Sequence, residues 1–126
     1  MVLKRSSDVK ALPVEHATST EIQWLISSQD GAPNFELRKF RMKPGGRIFK
    51  HYHPDIEHEQ YVLNGSYIVG IGDKEYSVNP GDALLIPAGT PHWYENKSEE
   101  DAVFLCIIPR REKYESLLLE EGKSTC

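Results

Sequence analysis

Short apolar runs recur along the chain, and turn-forming residues separate them. Gly, Pro, Asn and Asp punctuate the sequence about every ten residues, for example at Asn64-Gly65 and Gly72-Asp73. Short strands at this spacing are typical of an antiparallel sandwich or barrel rather than of alternating βαβ units. The pattern therefore predicts an all-β fold. Its seven strands are expected at residues 35–42, 46–53, 59–65, 66–72, 74–78, 82–88 and 102–109.

The two ends of the chain have a less regular pattern. Residues 1–30 are predicted to form an N-terminal arm, in which 21–28 fits either a strand or a short helix. Residues 110–121 of the C-terminal tail (110–126) are weakly amphipathic and favour a short helix. No repeat or long linker interrupts the sequence, so residues 1–126 are predicted to form a single domain.

Composition and charge narrow the possible partners. The 126 residues carry a formal net charge of −4, which argues against binding to nucleic acid or to an anionic membrane, because both require basic patches. No run approaches the roughly 20 apolar residues of a membrane-spanning helix. The first sixteen residues lack the apolar stretch of a secretory signal. We therefore expect a cytoplasmic protein that binds a small molecule.

The two cysteines lie in different surroundings. Cys106 is inside the apolar run 102–109, and Cys126 ends a polar tail. We expect no disulfide between them, which agrees with a reducing compartment.

Histidines are concentrated in one region: three of the five lie between residues 51 and 65. His51 and His53 share one face of a strand, because side chains alternate along a strand, and such a pair can hold one metal ion. His58 begins the next strand, and His92 begins a later one after a Pro-Gly turn. Hydrogen-bonded core histidines are the alternative, but the joint spacing favours metal ligation. His16 lies outside this pattern and is predicted to be in an exposed loop.

Two spaced motifs resemble those of the cupins, which are small jelly-roll β-barrels. The first cupin motif is Gly, five residues, His-x-His, three or four residues, Glu, six residues, Gly. The second is Gly, five residues, Pro-x-Gly, two residues, His, three residues, Asn. The resemblance implies a single jelly-roll cupin domain. The matching positions are Gly45, His51, His53 and Gly65 in motif 1 (45–65), and Gly81, Pro87, Gly89, His92 and Asn96 in motif 2 (81–96).

One position departs from the first motif. His58 stands where cupins usually have Glu, and Glu57 and Glu59 flank it. Side chains alternate along a strand, so either His58 or its two Glu neighbours can point inward. The spacing to Gly65 favours His58, and a carboxylate from one of the neighbours is the alternative. The sequence resembles the small cupins with four histidine ligands, which implies manganese bound by His51, His53, His58 and His92. Imidazole also suits Fe, Co, Ni, Cu and Zn.

Strand parity also nominates a pocket beside the histidines. Arg38 shares a face with Phe40, and it is either a clamp for an anion or carboxylate or an ordinary exposed residue. Cys106 is either a functional thiol or a small buried apolar residue. Tyr94 lies on the same side as His92. Arg38, Cys106 and Tyr94 are therefore the candidate catalytic residues.

The candidate site favours chemistry on a small organic molecule. Four neutral imidazoles leave the charge of a divalent ion uncompensated, and an octahedral ion would keep two adjacent positions open. The leading hypothesis is a metal-dependent oxidoreductase, most simply a dioxygenase. The alternatives are a lyase or isomerase that uses the metal as a Lewis acid, and a binding module without turnover. The resemblance, together with residues 2–5 as a possible added edge strand, also predicts a homodimer.

Overall fold

The computed structural model describes residues 1–120 and contains ten β-strands with only two single turns of 3-10 helix, Ser6–Asp8 and Ser28–Asp30. Every strand pairs antiparallel with its neighbours. The strands are β1 (Leu12–Pro13), β2 (Ala17–Ile26), β3 (Phe35–Tyr52), β4 (His58–Asn64), β5 (Tyr67–Ile71), β6 (Lys74–Val78), β7 (Ala83–Ile86), β8 (His92–Glu95), β9 (Ala102–Pro109) and β10 (Leu117–Leu118).

The long strand β3 connects the two halves of the barrel. Its first half pairs with β9 and its second half with β8, while β2 pairs with both halves. The hydrogen-bonded order is β6-β5-β8-β3-β9-β4-β7. Because β3 changes partner partway along, the sheet curls and its two halves face each other. The predicted all-β jelly roll is confirmed.

The strands predicted at 35–42 and 46–53 are not separated by a chain reversal at residues 44–46. The two predicted strands on either side form one continuous strand, so that expectation was wrong. Gly45 has a φ of +82° and donates its N–H to the carbonyl of Asn96 at 2.8 Å. The glycine pair bends the strand at the point where its partner changes, because hydrogen bonds to the β8 end hold both sides of the bend.

Asn96, the last residue of the second motif, has a structural role. Its side-chain amide donates to the carbonyls of Met42 at 2.9 Å and Glu100 at 2.8 Å, and it is fully buried. Gly65, the last residue of the first motif, has a φ of +72°, and a Cβ there would collide with the Asp101 carbonyl oxygen. These motif positions build the barrel, whereas the motif histidines form the site.

The core lies between the two halves of the sheet. Inward positions of successive strands carry its apolar side chains, and each fully buried one contributes about 1.5–3 kcal/mol relative to an exposed one. The Phe104 ring stacks against Phe40 at 5.0 Å and Tyr94 at 5.3 Å between ring centroids. Side chains with no exposed surface include Met42, Val62, Val69, Ile86 and Phe104.

Neither end of the described residues 1–120 forms an α-helix. The ambiguous segment 21–28 is mostly strand, within β2. The helix expected over residues 110–121 is absent from 110–120, where β10 instead pairs with Tyr52 and His51 of β3. The free edge of β3 offers backbone partners that a short, exposed helix would lack. Residue 121 and Cys126 lie outside the described residues.

The tail is anchored by its charged residues. The Glu120 carboxylate accepts the backbone N–H of Lys50 at 2.6 Å and a guanidinium N–H of Arg47 at 3.1 Å. Arg111 donates to the carboxylate of Asp55 at 3.1 Å. These contacts hold residues 111–120 across the end of β3. Within residues 1–120 there is no helix with the length and apolar content needed to cross a membrane.

Candidate metal centre

Four histidine rings converge at one end of the barrel. His51 is the penultimate residue of β3, His53 directly follows that strand, His58 begins β4 and His92 begins β8. The ring centroids are 4.3 Å apart for His51 and His92, 4.8 Å for His53 and His58, and 5.2 Å for His58 and His92. The structure therefore brings together the four histidines that the spacing nominated.

Three of these rings form a group that could hold a metal ion. One ring nitrogen from each of His51, His53 and His92 lies within 4.8 Å of those of the other two. His51 and His92 are also paired directly across β3 and β8. The group is therefore built mainly on two adjacent strands, which fix the positions of its members.

Backbone carbonyls set the tautomer of these three rings. The Nδ1 atoms lie 2.7 Å from the Phe49 carbonyl oxygen for His51, and 2.9 Å from that of Thr90 for His92. The Nδ1 of His53 lies 3.0 Å from the Glu115 carbonyl oxygen in the tail. A carbonyl oxygen can only accept, so each ring donates Nδ1–H and keeps a lone pair on Nε2. This is the arrangement that metal-ligating histidines usually have.

His58 has different partners. Its Nδ1 lies 3.4 Å from Cys106 Sγ and 3.4 Å from Arg38 Nη2, and no carbonyl of residues 1–120 is a partner. Its Nε2 is buried and has no hydrogen-bond partner among the described residues. A buried polar atom without a partner is costly, and a cation in the histidine cluster would satisfy it. The donor set therefore fits a metal ion.

Burial keeps the imidazoles neutral. Desolvation is the main cause that lowers the pKa of His51 to about 4 and that of His92 to about 3, and the other histidines and Arg38 lower both further. Desolvation also lowers the pKa of His53. For His58, burial and then the Arg38 charge lower the pKa strongly. Neutral rings are the form that binds metal.

The acidic neighbours of His58 point away from the cluster. Glu57 and Glu59 are exposed, whereas His58 is 3% exposed. A hydrogen bond with Glu57 raises the pKa of the Glu59 carboxyl, so the two carboxyl groups interact with each other outside the barrel. The predicted alternation is confirmed. Ligation by His58 itself stays a prediction.

A cavity of about 230 Å³ opens beside the histidines. Trp24, Phe40, Tyr94 and Phe104 supply aromatic walls, and Arg38 and Gln60 supply polar groups. The Arg38 guanidinium carbon lies 5.3 Å from the Trp24 ring centroid and 5.0 Å from that of Phe40. The cavity is therefore mostly apolar with a few oriented polar groups, as small-molecule sites usually are.

Arg38 and Tyr94 line this cavity, whereas Cys106 is not among its lining residues, and a catalytic role for any of the three stays a prediction. Cys106 is fully buried and accepts from Arg38 Nη2 at 3.0 Å and from Gln60 Nε2 at 3.4 Å. Gln60 also donates to the Tyr94 hydroxyl at 2.7 Å. Burial raises the pKa of the Tyr94 phenol, so its hydroxyl stays protonated.

Sequence reasoning missed three contributions to the site. Gln60 shares the parity of His58, so this signal was present in the sequence. Trp24 lies in the segment whose secondary structure was ambiguous. The Glu115 carbonyl has no side-chain signature at all. His16 is exposed in a turn, as predicted, and that turn lies at the cavity mouth.

These features define a class of protein: a small antiparallel jelly-roll barrel with a histidine cluster and a cavity at one end. The sequence profile of the cupin domain family, Cupin_2, matches residues 38–108, more than half of the chain. The chain therefore belongs to the cupin family.

The relatives are of several kinds. The structure matches that of the polyketide cyclase RemF from Streptomyces resistomycificus with a TM-score of 0.85 and 35% identity, covering 97% of this chain and 89% of RemF. Protein SchB from Streptomyces halstedii is 30% identical over 79% of this chain and 63% of its own length. Quercetin 2,3-dioxygenase from Bacillus subtilis is 29% identical over 72% of this chain and 24% of its own length. The chain thus spans less than two thirds of these two curated relatives.

Proposed function

We propose that this protein is a metal-dependent enzyme that closes rings in small polyketide-like molecules through their enolate or phenolate forms. The observation that carries the proposal is the cluster of four neutral imidazoles, from which the neighbouring Glu57 and Glu59 point away, beside a cavity that contains Arg38. A divalent ion held by His51, His53, His58 and His92 would polarise a carbonyl as a Lewis acid. RemF, a polyketide cyclase similar over nearly the whole chain, supports this reaction type.

The residues of the chain have separate roles in this proposal. Arg38 binds an anionic oxygen of the substrate, because no carboxylate within residues 1–120 forms an ion pair with it. Trp24 and Phe40 hold a planar ring against the apolar wall. The side-chain oxygen of Gln60 is buried without a partner in the described chain and would accept a substrate hydroxyl. The protonated Tyr94 hydroxyl can donate to a developing oxyanion.

Ring closure of this kind balances without an oxidant. A carbon next to one carbonyl loses a proton and bonds to the carbon of a second carbonyl, whose oxygen takes up a proton. Loss of one water can then complete an aromatic ring. This reaction would proceed in the absence of dioxygen.

Dioxygenase chemistry is the second candidate, and it was the leading one from sequence alone. The similarity to quercetin 2,3-dioxygenase favours it, and a redox-active metal held by the four histidines would supply the chemistry that it needs. We rank dioxygenase chemistry second because the similarity to RemF extends over more of both chains. A binding module without turnover is the third.

One experiment separates the three. The protein is stripped of metal, reloaded with Mn, Fe, Co, Ni, Cu or Zn, and incubated with poly-β-ketone and flavonol substrates with and without oxygen. Ring closure predicts conversion without oxygen and a product of unchanged mass or one water lighter. Oxygen uptake matched to product formation would instead establish the dioxygenase. Binding without conversion under every condition would leave only the binding module.

The metal and the compartment remain predictions. Manganese follows from the resemblance to four-histidine cupins, but four imidazoles bind Cu more tightly than Mn. Purified protein can therefore carry a metal that is not its working one, and for this reason the test compares several metals. We retain a cytoplasmic location as the expectation.

We also propose that the chain forms a homodimer, with a second copy covering the outer face of β3, β9, β4 and β7. Five apolar side chains on this face are 40–66% exposed. Lys39 and Glu59 lie on the same face, so two copies can pair opposite charges. Sedimentation should show a dimer that Leu85→Lys dissociates. A monomer at micromolar concentration would contradict the proposal. The apolar residues are Phe35, Tyr61, Leu63, Leu85 and Ile107.

A further inference from the structure

One residue near the cavity is buried, makes several polar contacts and has no part in the ring closure described above. Cys106 on β9 is directly paired with Arg38 of β3 on one side and with Gln60 of β4 on the other. The thiol sulfur accepts a hydrogen bond from both of these neighbours, at 3.0 Å from Arg38 Nη2 and 3.4 Å from Gln60 Nε2. It is also 3.4 Å from Nδ1 of His58.

The tautomer of His58 decides whether this ring can bind a metal. If Nδ1 is the bare nitrogen, the proton is on Nε2, and Nε2 has no lone pair to offer a cation. If Nδ1 carries the proton, Nε2 has a lone pair directed at the cluster. Nε2 is buried without a partner in the described residues, so the two tautomers differ in what they offer a cation.

The neighbours of Nδ1 act in opposite directions. Arg38 can only donate, so a hydrogen bond from Arg38 would favour the tautomer that cannot ligate. Cys106 Sγ can accept Nδ1–H, which favours the tautomer that can ligate, whereas an S–H donated to a bare Nδ1 would favour the other. Arg38 Nη2 is 3.0 Å from Sγ but 3.4 Å from Nδ1, which directs its N–H to the sulfur.

We infer that Cys106 is a positioning residue: it accepts Nδ1–H of His58, draws the Arg38 N–H away from the ring, and so keeps the Nε2 lone pair of His58 available to a metal ion. This inference rests on the proposed metal site. This role also explains why a thiol in the barrel core has three polar neighbours. Its role corresponds to that of the carbonyls of Phe49, Thr90 and Glu115 at the other three histidines.

The tautomer can be read directly in the metal-free protein. Long-range ¹H–¹⁵N correlation spectra of the imidazole rings distinguish the two tautomers, and His58→Gln assigns the His58 signals. Wild type and Cys106→Ser should have Nδ1–H, because a hydroxyl still accepts. Cys106→Val should move the proton to Nε2. Arg38→Met should leave it on Nδ1, since the sulfur remains.

Metal affinity supplies the second measurement, by competition of Co²⁺ between the protein and a chelator. Cys106→Val should weaken binding about 10- to 100-fold, as is typical for loss of a residue that orients a ligand. Cys106→Ser should restore it to within a few-fold of wild type. Val78→Ala, a core truncation on β6, is the control for general loosening of the core and should change neither tautomer nor affinity. If Cys106→Val does not fold, Cys106→Ala is compared with this control.

The possible outcomes separate this inference from the proposed function. The inference is overturned if the Cys106→Val variant keeps Nδ1–H on His58, or changes tautomer with no loss of affinity. A wild-type protein that binds no Co²⁺ would refute the proposed metal enzyme, and the apo spectra would still test the hydrogen bond to Cys106. Normal metal binding without any turnover would refute the proposed reaction alone.

Discussion

The four histidines of the cluster are oriented in two different ways. At His51, His53 and His92 a backbone carbonyl accepts Nδ1–H, whereas at His58 the nearby groups are the side chains of Cys106 and Arg38. A carbonyl in the backbone stays in place whatever side chain its residue carries. Side-chain partners can be exchanged by single substitutions, so the His58 side of the cluster is the side that mutation can tune.

The largest effect is expected at the strand-paired, carbonyl-oriented histidines. His92→Ala removes a donor of the three-histidine group and leaves the group with two members. Metal affinity should fall by more than the 10- to 100-fold typical of an outer-shell change. Co²⁺ competition measures it, with exposed His16→Ala as the matched control. Unchanged affinity in His92→Ala would place the metal elsewhere.

The second effect is on stability, and it tests the desolvation that both kinds of histidine share. In the metal-free protein the pKa of His51 is about 4 and that of His92 about 3, below the 6.5 of an unperturbed histidine. As pH falls below 6.5, the unfolded chain binds protons that the folded chain does not, so the free energy of unfolding decreases towards pH 4. Each group contributes up to ~1.4 kcal/mol per pH unit in this window.

Urea denaturation of chelator-treated protein between pH 7.5 and 4.5 measures this slope. Carboxylates also titrate near the lower end, so the informative quantity is the difference between variants. His92→Gln should have a shallower slope than wild type, and His16→Gln should keep the wild-type slope. Equal slopes in all three proteins would mean that burial of His92 does not govern its protonation.

The positions of the carbonyl-oriented histidines could be predicted from the sequence, but their tautomers could not. The positions of His51, His53 and His92 follow from strand parity and from two motifs with fixed spacing. Their tautomers do not follow, because the accepting atoms belong to the backbone and carry no residue signature. The Glu115 carbonyl was the hardest to foresee, since the tail that contains it was expected to be a helix.

The errors in the predicted fold have the same physical origin. Residues 110–120 have a weak helical pattern, but pairing with the free edge of β3 decides their conformation. The glycines at 45 and 46 signal a turn, yet hydrogen bonds to the end of β8 turn them into a bend inside one strand. Tertiary pairing overrides local preference in both cases. The pattern of apolar residues in the middle of the chain had no such competitor, and its strands were predicted well.

The third effect concerns His58, whose ring is oriented by side chains rather than by a backbone carbonyl. His58→Ala should weaken metal binding while His51, His53 and His92 still hold the ion, and His58→Glu should restore affinity because a carboxylate replaces the lost donor. Glu59→Gln is the control, since Glu59 is exposed on the outer face. Metal content and affinity are measured on the same preparations. Loss of metal in Glu59→Gln, with none in His58→Ala, would identify the carboxylate as the ligand.

The smallest effect is expected from loosening the tail, and it tests whether a carbonyl remains a fixed partner when its segment is released. Glu120→Ala removes the acceptor of the Lys50 backbone N–H and of the Arg47 guanidinium. The Glu115 carbonyl would then hold His53 less firmly, and metal affinity should fall by about tenfold, at the lower end of outer-shell losses.

The control for this change is Asp101→Ala, which also breaks an ion pair to an arginine, Arg41, but does so far from the tail. It should leave metal affinity unchanged. In Glu120→Ala the NMR signals of His53 should shift, while those of His51 and His92 stay in place, because their carbonyl partners lie on β3 and just before β8. Equal shifts at all three rings would contradict a local role for the tail. Unchanged affinity with a released tail would show that the paired strands alone position the metal-binding histidines.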